Sequence, residues 1–311
     1  MKNRVLVITG PTAAGKSALG ILLAGRLNGE IISADSMQVY RGMDIGTAKV
    51  TAEEARGIPH HMLDVAEPGE DYSVSRYVAE ASACAEDIFS RGKVPILVGG
   101  TGLYIDSLLS GRDFAGPSDG ALRARLGEEY DTLGGEAFRD RLREIDPERA
   151  EKLHPADKKR LVRAMEVWLG TGETITAHDV RTRLAPKRWP SLRYAVSFAA
   201  RAALYARIDR RVDDMLRRGL VEEVRGLLAG GLSPESTAMQ AIGYKEAAAF
   251  LRGECTLEAA AEEIRRASRR YAKRQLTWLR RDGELRYILW GDSPDIPRAA
   301  DEICAAWGEY K

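Results

Sequence analysis

Near its start the chain carries the stretch Gly10-Pro11-Thr12-Ala13-Ala14-Gly15-Lys16-Ser17. It matches the pattern G-x-x-x-x-G-K-[ST] and lies between an apolar, β-branched run of strand length, Arg4 to Thr9, and a helical pattern from Lys16 to Leu27. In that setting the two glycines let backbone N–H groups turn inward towards phosphate oxygens, and the helix N-terminus adds partial positive charge. Lys16 supplies a point charge, and the Ser17 hydroxyl suits Mg²⁺. A chance glycine-rich turn has no reason to sit between a strand and a helix, so a phosphate or diphosphate site is expected.

Outward from this loop, short apolar runs recur at Glu30 to Ala34 and at Val94 to Val98, where Gly99-Gly100 end the second. Between them Ser73 to Arg91 reads as an amphipathic helix with Gly92 just beyond it. Strands joined by helices imply a parallel sheet with right-handed crossovers. Around Gly111 to Gly120 the composition shifts to Gly, Asp, Pro and Ser, and residues 121–169 are then mostly helical in pattern, broken at Asp146-Pro147 and His154-Pro155. Residues 181–192 read as a returning loop, Tyr194 to Phe198 as a strand rejoining the sheet, and Ala203 to Arg281 as helices. The expected fold is therefore α/β, a P-loop core with a parallel sheet, interrupted by a small all-helical insertion domain and followed by a helical C-terminal part. The expected divisions are residues 1–112, 113–192 and 193–311.

Composition fits a globular enzyme. Of 311 residues, 44% are hydrophobic and 30% charged, which excludes wholesale disorder. No apolar run approaches the ~20 residues needed to cross a bilayer, and the short run Val5 to Ile8 is no signal-peptide core. Three scattered cysteines, Cys84, Cys255 and Cys304, form neither a disulfide framework nor a zinc module, so a reducing cytoplasm is expected. The net charge of +1 hides an asymmetry: residues 141–281 carry 30 Lys/Arg against 19 Asp/Glu, whereas residues 1–110 carry 10 against 13. One stretch of the chain thus suits a polyanionic partner.

Two features carry further chemistry. Phosphoryl-transfer enzymes with such a loop usually hold Mg²⁺ with an acid at the end of another core strand, yet Ile96-Leu97-Val98 ends in Gly99-Gly100-Thr101. The only carboxylate directly after an early strand is Asp35, at the carboxyl edge of the sheet where α/β ligands bind. It reads either as a helix cap or metal-holding acid, or as a proton acceptor for an incoming nucleophile. The second feature is Ile264 to Arg281, with Arg265, Arg266, Arg269, Arg270, Lys273, Arg274, Arg280 and Arg281 and no acid. On a helix all eight fall within about 180° of the circumference, opposite Ile264, Ala267, Tyr271 and Trp278, which suggests phosphate-backbone contacts. Lys158, Lys159, Arg160 and Arg163 form a second patch. In the cluster Arg207, Arg210, Arg211, Arg217 and Arg218, neighbouring Asp209, Asp213 and Asp214 make internal ion pairs the expected state.

With these residues in view the chain strongly resembles the tRNA dimethylallyltransferases, also called tRNA isopentenyltransferases. The matching segments are the phosphate loop, Ile32 to Arg41, Asp44 to Lys49, Gly57 to His61, Val98 to Tyr104, Asp146-Pro147, His154 to Arg160, Arg163 to Val167, Arg207 to Val212, Gln240 to Glu246 and Tyr271 to Arg280. Departures are small: Ala156 stands where many members have Asn and Leu279 where Phe is common. No paired Cys/His cluster provides the zinc finger of some eukaryotic members.

The resemblance implies transfer of a dimethylallyl group from dimethylallyl diphosphate to N6 of adenosine 37, beside the tRNA anticodon, by a cytoplasmic enzyme with Mg²⁺ as cofactor. Diphosphate is then a leaving group, which accounts for the missing acid. By the same resemblance the loop residues Gly10 to Ser17 bind diphosphate, Ser17 holds the metal, and Asp35, Lys16 and Thr101 are catalytic. The tRNA-contacting positions implied are Asp35, Ser36, Met37, Gln38, Thr101, Arg123, Lys159, Arg160, Leu161, Val162, Arg163, Gln240, Ala241, Ile242, Gly243, Tyr244, Lys245, Lys273, Arg274, Gln275, Leu276, Thr277, Trp278, Leu279 and Arg280. The flipped adenine is expected to reach one end of a channel and the diphosphate the other, with the helical insertion clamping the anticodon stem-loop. His60-His61 reads as structural or as shaping the substrate pocket. Nothing demands more than a monomer, and no membrane partner is expected. The rival readings are an isopentenyltransferase acting on free adenine nucleotides, which needs neither insertion nor basic helix, and a P-loop small-molecule kinase, which consumes ATP.

Overall fold

In the computed structural model, residues 3–111, 114, 116, 119–183 and 185–310 are described. The chain divides into two compact units, Met1–Leu109 with Trp189–Lys311, and Ser110–Arg188. The division expected at residues 112 and 113 lies outside the described residues. The return, expected at residue 193, comes earlier, because β5 (Ser191–Phe198) begins three residues before the apolar run Tyr194 to Phe198.

The first unit holds one six-stranded, all-parallel sheet in the order β3-β2-β4-β1-β5-β6. Its strands are β1 (Val5–Thr9), β2 (Gly29–Ala34), β3 (His60–His61), β4 (Val94–Gly99), β5 and β6 (Arg286–Trp290). Every residue of β1 and β2 is buried, as a sheet covered on both faces requires. Its helices are α1 (Lys16–Leu27), the single turn α2 (Ala52–Ala55), α3 (Val74–Ser90), α4 (Gly102–Ser110), α10 (Arg201–Arg217), α11 (Leu220–Ala229), α12 (Tyr244–Leu251), α13 (Leu257–Leu279) and α14 (Ile296–Glu309). Ser73 caps α3 by accepting from the Arg76 N–H, as its position before the amphipathic pattern leads one to expect.

Leu6, Ile8, Leu19, Leu23, Ile96, Val196 and Ile303 belong to one core cluster. A second cluster gathers Val39, Tyr40, Met43, Val212, Leu220, Tyr244 and Ile264. β6 and α14 complete the sheet edge and cover α1, a contribution that composition alone does not announce.

The second unit is helical: α5 (Gly120–Leu133), α6 (Gly135–Ile145), α7 (Pro147–Lys152), α8 (Lys158–Thr171) and α9 (Ile175–Arg183). The breaks fall at the expected prolines. Asp146 caps α7 with Pro147 at its first position, and Asp157 caps α8. Phe138, Leu142, Leu161 and Met165 fill its core. Residues 181–192 are not all loop, since α9 runs to Arg183 and β5 begins at Ser191.

Candidate active site

The carboxyl edges of β1, β2 and β4 converge. β4 pairs with both of the others, so the loop after β1, Asp35 after β2 and Thr101 after β4 become neighbours. Gly10 is required where β1 turns into the loop. It has φ +147°, and a Cβ there would meet the Val196 carbonyl oxygen at 2.2 Å.

The loop is braced from distant parts of the chain. Thr12 N–H donates to Gln275 Oε1 (2.9 Å), and Gln275 Nε2 donates to the Gly100 carbonyl (2.9 Å). Arg207 Nε donates to the Ala13 carbonyl (3.0 Å), which helps hold Ala13 at φ +62°. Lys16 Nζ donates to the Pro11 carbonyl (2.7 Å). Its pKa is lowered to about 7, first by loss of solvent and then by the positive charge of Arg211, with Asp35 opposing.

Asp35 does two things. Its Oδ1 accepts from the Met37 N–H (2.9 Å) and the Gln38 N–H (3.4 Å), so it caps the turn that follows β2. Among the described residues no donor reaches Oδ2, and Asp35 lines the adjoining cavities. Both readings of Asp35 are therefore compatible with the geometry. Thr101 Oγ1 accepts from the Ser36 N–H (3.1 Å), which ties it to the Asp35 turn. The pKa of the Tyr271 hydroxyl is raised to about 12, chiefly by burial.

Three adjoining spaces open here. The first, about 250 Å³, is walled by Met37, Ile208, Val212, Met215, Ile242 and Ile264, with Asp35, Gln240 and Arg274 as polar groups. The second, about 60 Å³, lies between Lys16, Ser17, Asp35, Arg211, Tyr271 and Gln275. The third, about 1130 Å³, is a wide mouth bordered by Ala13 to Ala18, where Lys16, Arg56, Arg207, Arg210 and Arg211 outnumber the acids Glu53, Glu54 and Asp214. The small space shares Asp35, Thr12 and Tyr271 with the apolar chamber, and Lys16 and Ser17 with the mouth. Arg211 borders all three.

Arg211 corrects the reading of its cluster as internally paired. Among the described residues Arg217 alone of the cluster has a carboxylate partner, Asp214. Arg207, Arg210, Arg211 and Arg218 have none within 4 Å among the described residues. Arg211 donates to the Thr47 carbonyl (3.3 Å), and desolvation lowers its pKa, with Asp35 opposing. Helical spacing carries the missing signal. Residues 207 and 211 share one face of α10 towards the loop, while Asp209 and Asp213 share another, towards α13.

That second face corrects the reading of the basic helix as well. Arg269 pairs with Asp209 and Glu262, Arg265 with Asp213 and Glu262, and Arg266 with Glu263, so these three are committed inside the protein. Arg270, Lys273, Arg280 and Arg281 are exposed and lack a carboxylate partner among the described residues, and Arg274 lies over the Tyr271 ring. Of the residues implied by resemblance, Ser36, Met37, Gln240, Ala241, Ile242 and Arg274 line the chamber. Gln38 is tied to Ser33 and to the Thr47 and Ala48 carbonyls. Lys245 and Lys273 point outward, and Gly243 turns the chain at φ +99°. The Thr277 hydroxyl bonds back to the Lys273 carbonyl, and Trp278 Nε1 donates to Asp106.

Several implied positions are occupied by side chains of the hydrophobic cores. Tyr244 and Leu279 are buried, Leu276 packs on the core, and Leu161 and Val162 fill the second unit. In that unit Arg123 and Arg163 both pair with the buried Glu166, and Arg160 with Asp157, leaving Lys159 as the exposed cation of the run without a carboxylate partner among the described residues. His61 bonds the buried Glu30, whose carboxyl is held well below its usual range, first by Arg91 and also by Lys93. His60 lines a small space behind Ser17.

No group of three or more His, Cys, Asp or Glu suited to a metal occurs among the described residues. Ser17, exposed at the start of α1 on the loop side, is the one hydroxyl of the motif facing the mouth, with Asp35 across the small space. Such a donor set suits Mg²⁺, which keeps several waters and takes its other oxygens from a phosphate ligand.

A parallel α/β sheet with a glycine-rich loop, a carboxylate and several cations at one edge places the chain among α/β proteins whose edge suits an anionic ligand. The particular family follows from comparison. Residues 38–282 match the protein-family model described as IPP transferase, and residues 3–67 that described as Isopentenyl transferase. The chain is 46% identical over 303 residues to the tRNA dimethylallyltransferase of Pelotomaculum thermopropionicum, covering 97% of this chain and 96% of that one. It is likewise 46% identical over 287 residues to that of Geobacter sulfurreducens, covering 92% of each. The structure of the full-length tRNA isopentenylpyrophosphate transferase from Bacillus halodurans superimposes with a TM-score of 0.74 at 39% identity over 99% of this chain and 98% of that one. A eukaryotic dimethylallyltransferase acting on tRNA superimposes with a TM-score of 0.83 at 30% identity over 98% and 80%. The chain belongs to the IPP transferase family.

Proposed function

We propose that this protein transfers a dimethylallyl group from dimethylallyl diphosphate to N6 of adenosine 37 in tRNA, releasing inorganic diphosphate. The observation that carries the reading is that Lys16 and Ser17 of the loop share one small space with the Asp35 carboxylate. An apolar chamber lies on one side and a cationic mouth on the other. A five-carbon allylic diphosphate has matching halves.

In this reading the loop N–H groups, Lys16 and Arg211 bind the diphosphate and stabilise the charge that develops on it as the allylic C–O bond breaks. Ser17 would hold Mg²⁺, which would supply further neutralisation of diphosphate charge. The adenine amine is a weak nucleophile because its lone pair is delocalised. Asp35 Oδ2 accepts one amine hydrogen, orienting the nitrogen and taking its proton as the C–N bond forms. Oδ1 stays engaged with the turn, so the acceptor is held rigidly. The exposed cations Arg270, Lys273, Arg280 and Arg281, with Lys159 in the second unit, supply phosphate-backbone contacts. The anticodon loop as target, the cytoplasm as compartment and a monomeric enzyme complete the proposal.

Labelled dimethylallyl diphosphate offered with unmodified tRNA, with free adenine nucleotides and with neither tests it. Label is expected in tRNA, at adenosine 37, without ATP. Label confined to free nucleotides, or a requirement for ATP, overturns it.

A further inference from the structure

The edge strand β6 ends at Trp290, in register with Phe198 at the end of β5. The Ala199 N–H donates to the Trp290 carbonyl (2.9 Å), which fixes this strand end against the next turn of the chain. From there the indole, only 3% exposed, reaches across the sheet edge, and its Nε1–H donates to the Ala14 carbonyl at 2.8 Å. The two residues are 276 positions apart, and Trp290 lies outside both segments matched by the family models, which end at residues 67 and 282.

The peptide joining Ala14 to Gly15 is planar and trans, so its carbonyl and N–H point in opposite directions. Holding the Ala14 oxygen on the Trp290 side therefore turns the Gly15 N–H to the other. That N–H has no acceptor among the described protein groups. Gly15 itself sits at φ +87°, a conformation with no side chain to restrict peptide rotation. Ala14, by contrast, is fully buried. The Ala13 carbonyl is held by Arg207, Thr12 N–H by Gln275, and the Ala14 N–H turns back to the Pro11 carbonyl (3.3 Å). Among the described groups the indole of Trp290 is the side chain bonded to the 14–15 peptide, the last one before α1.

We infer that Trp290 is a positioning residue for the diphosphate site: its indole N–H locks the Ala14–Gly15 peptide so that the Gly15 N–H is already aimed at the ligand. The inference rests on the phosphate-loop reading above. Preorganisation removes the cost of ordering a donor at the moment of binding.

Isothermal titration of inorganic diphosphate in the presence of Mg²⁺, together with steady-state kinetics, tests it on the full chain. Trp290→Phe keeps the ring in the core and deletes the donor. Diphosphate Kd and KM for dimethylallyl diphosphate are expected to rise about three- to tenfold, as for loss of one neutral hydrogen bond, with tRNA affinity unchanged. Trp307→Phe, in the same core cluster without a bond to the loop, is the control for packing: it is expected to lower Tm without moving diphosphate affinity. If Trp290→Phe does not fold, Trp290→His, which retains an N–H donor, takes its place, with diphosphate affinity expected to lie closer to wild type than that of Trp290→Leu. An unchanged diphosphate Kd in folded Trp290→Phe, equal losses in Trp307→Phe, or no difference between Trp290→His and Trp290→Leu overturns the role of Trp290. Failure of the wild-type protein to bind diphosphate at all removes the phosphate-loop reading instead, and this inference with it.

Discussion

Gln275 is bound at both ends to the carboxyl edge of the sheet: its Oε1 accepts from the Thr12 N–H and its Nε2 donates to the Gly100 carbonyl, each at 2.9 Å. Gln275 lies on the buried face of α13, away from the exposed Lys273 and Arg280, so one side chain couples the basic helix to the loop after β1. Gln275→Ala leaves both backbone groups without that partner, and a loss of about 1–3 kcal/mol is expected. Denaturant unfolding and the KM for dimethylallyl diphosphate check it, and both are expected to worsen together. Gln275→Glu keeps the acceptor for Thr12 but places an anion beside the diphosphate, so its KM is expected to rise more than its stability falls.

Asp35 has one oxygen in a backbone cap and one open to the cavity, and two substitutions separate these tasks. Asp35→Asn keeps an oxygen for the Met37 N–H, so Tm is expected to stay near wild type while kcat falls about 10²- to 10⁴-fold with the loss of a general base. Asp35→Ala also loses the cap and is expected to cost about 1 kcal/mol of stability in addition. If Asp35→Asn turns over at nearly the wild-type rate, Asp35 is a cap alone.

Lys16 and Arg211 make the diphosphate site pH-sensitive in a definite direction. With its pKa lowered to about 7, Lys16 is largely neutral above that pH in the free protein. A bound diphosphate raises the pKa again, so binding takes up a proton above about pH 7 and none well below it. Titration calorimetry in buffers of different ionisation enthalpy reads this uptake directly. Arg211→Gln removes a charge that lowers the Lys16 pKa, so the onset of uptake is expected to move to higher pH, with a several-fold rise in KM for dimethylallyl diphosphate.

The cations of α13 fall into two groups with different consequences. Lys273→Ala and Arg280→Ala are expected to weaken tRNA binding and to lower the slope of log affinity against log salt by about one each. Arg269→Ala breaks its pairs with Asp209 and Glu262, and is expected to reduce Tm with no change in that slope.

Much of this was legible in contiguous segments. The loop, its flanking strand and helix, Asp35 and the glycines after β4 lie within local patterns whose spacing alone sets their geometry. The split within the basic helix was not, because Asp209 and Asp213 lie more than fifty residues before the arginines they neutralise and meet them only through α10 packing on α13. Arg211 was obscured by counting acids along the chain instead of around the helix. Leu161 and Tyr244 occupy segments that resemble tRNA-contacting ones, yet they are core supports of the exposed neighbours. β6 is short and largely exposed along its length, with only Trp290 buried. Its polar-flanked sequence therefore does not advertise a strand.

In the proposed reaction the bond broken lies between the allylic carbon and oxygen, with diphosphate departing intact from the loop. Dimethylallyl diphosphate carrying ¹⁸O in the bridging position measures this most directly. Mass analysis of the products is expected to find the ¹⁸O entirely in inorganic diphosphate, released in equal amount to alkylated adenine in tRNA. Bridging label left on the five-carbon fragment, or release of a single phosphate, would contradict it.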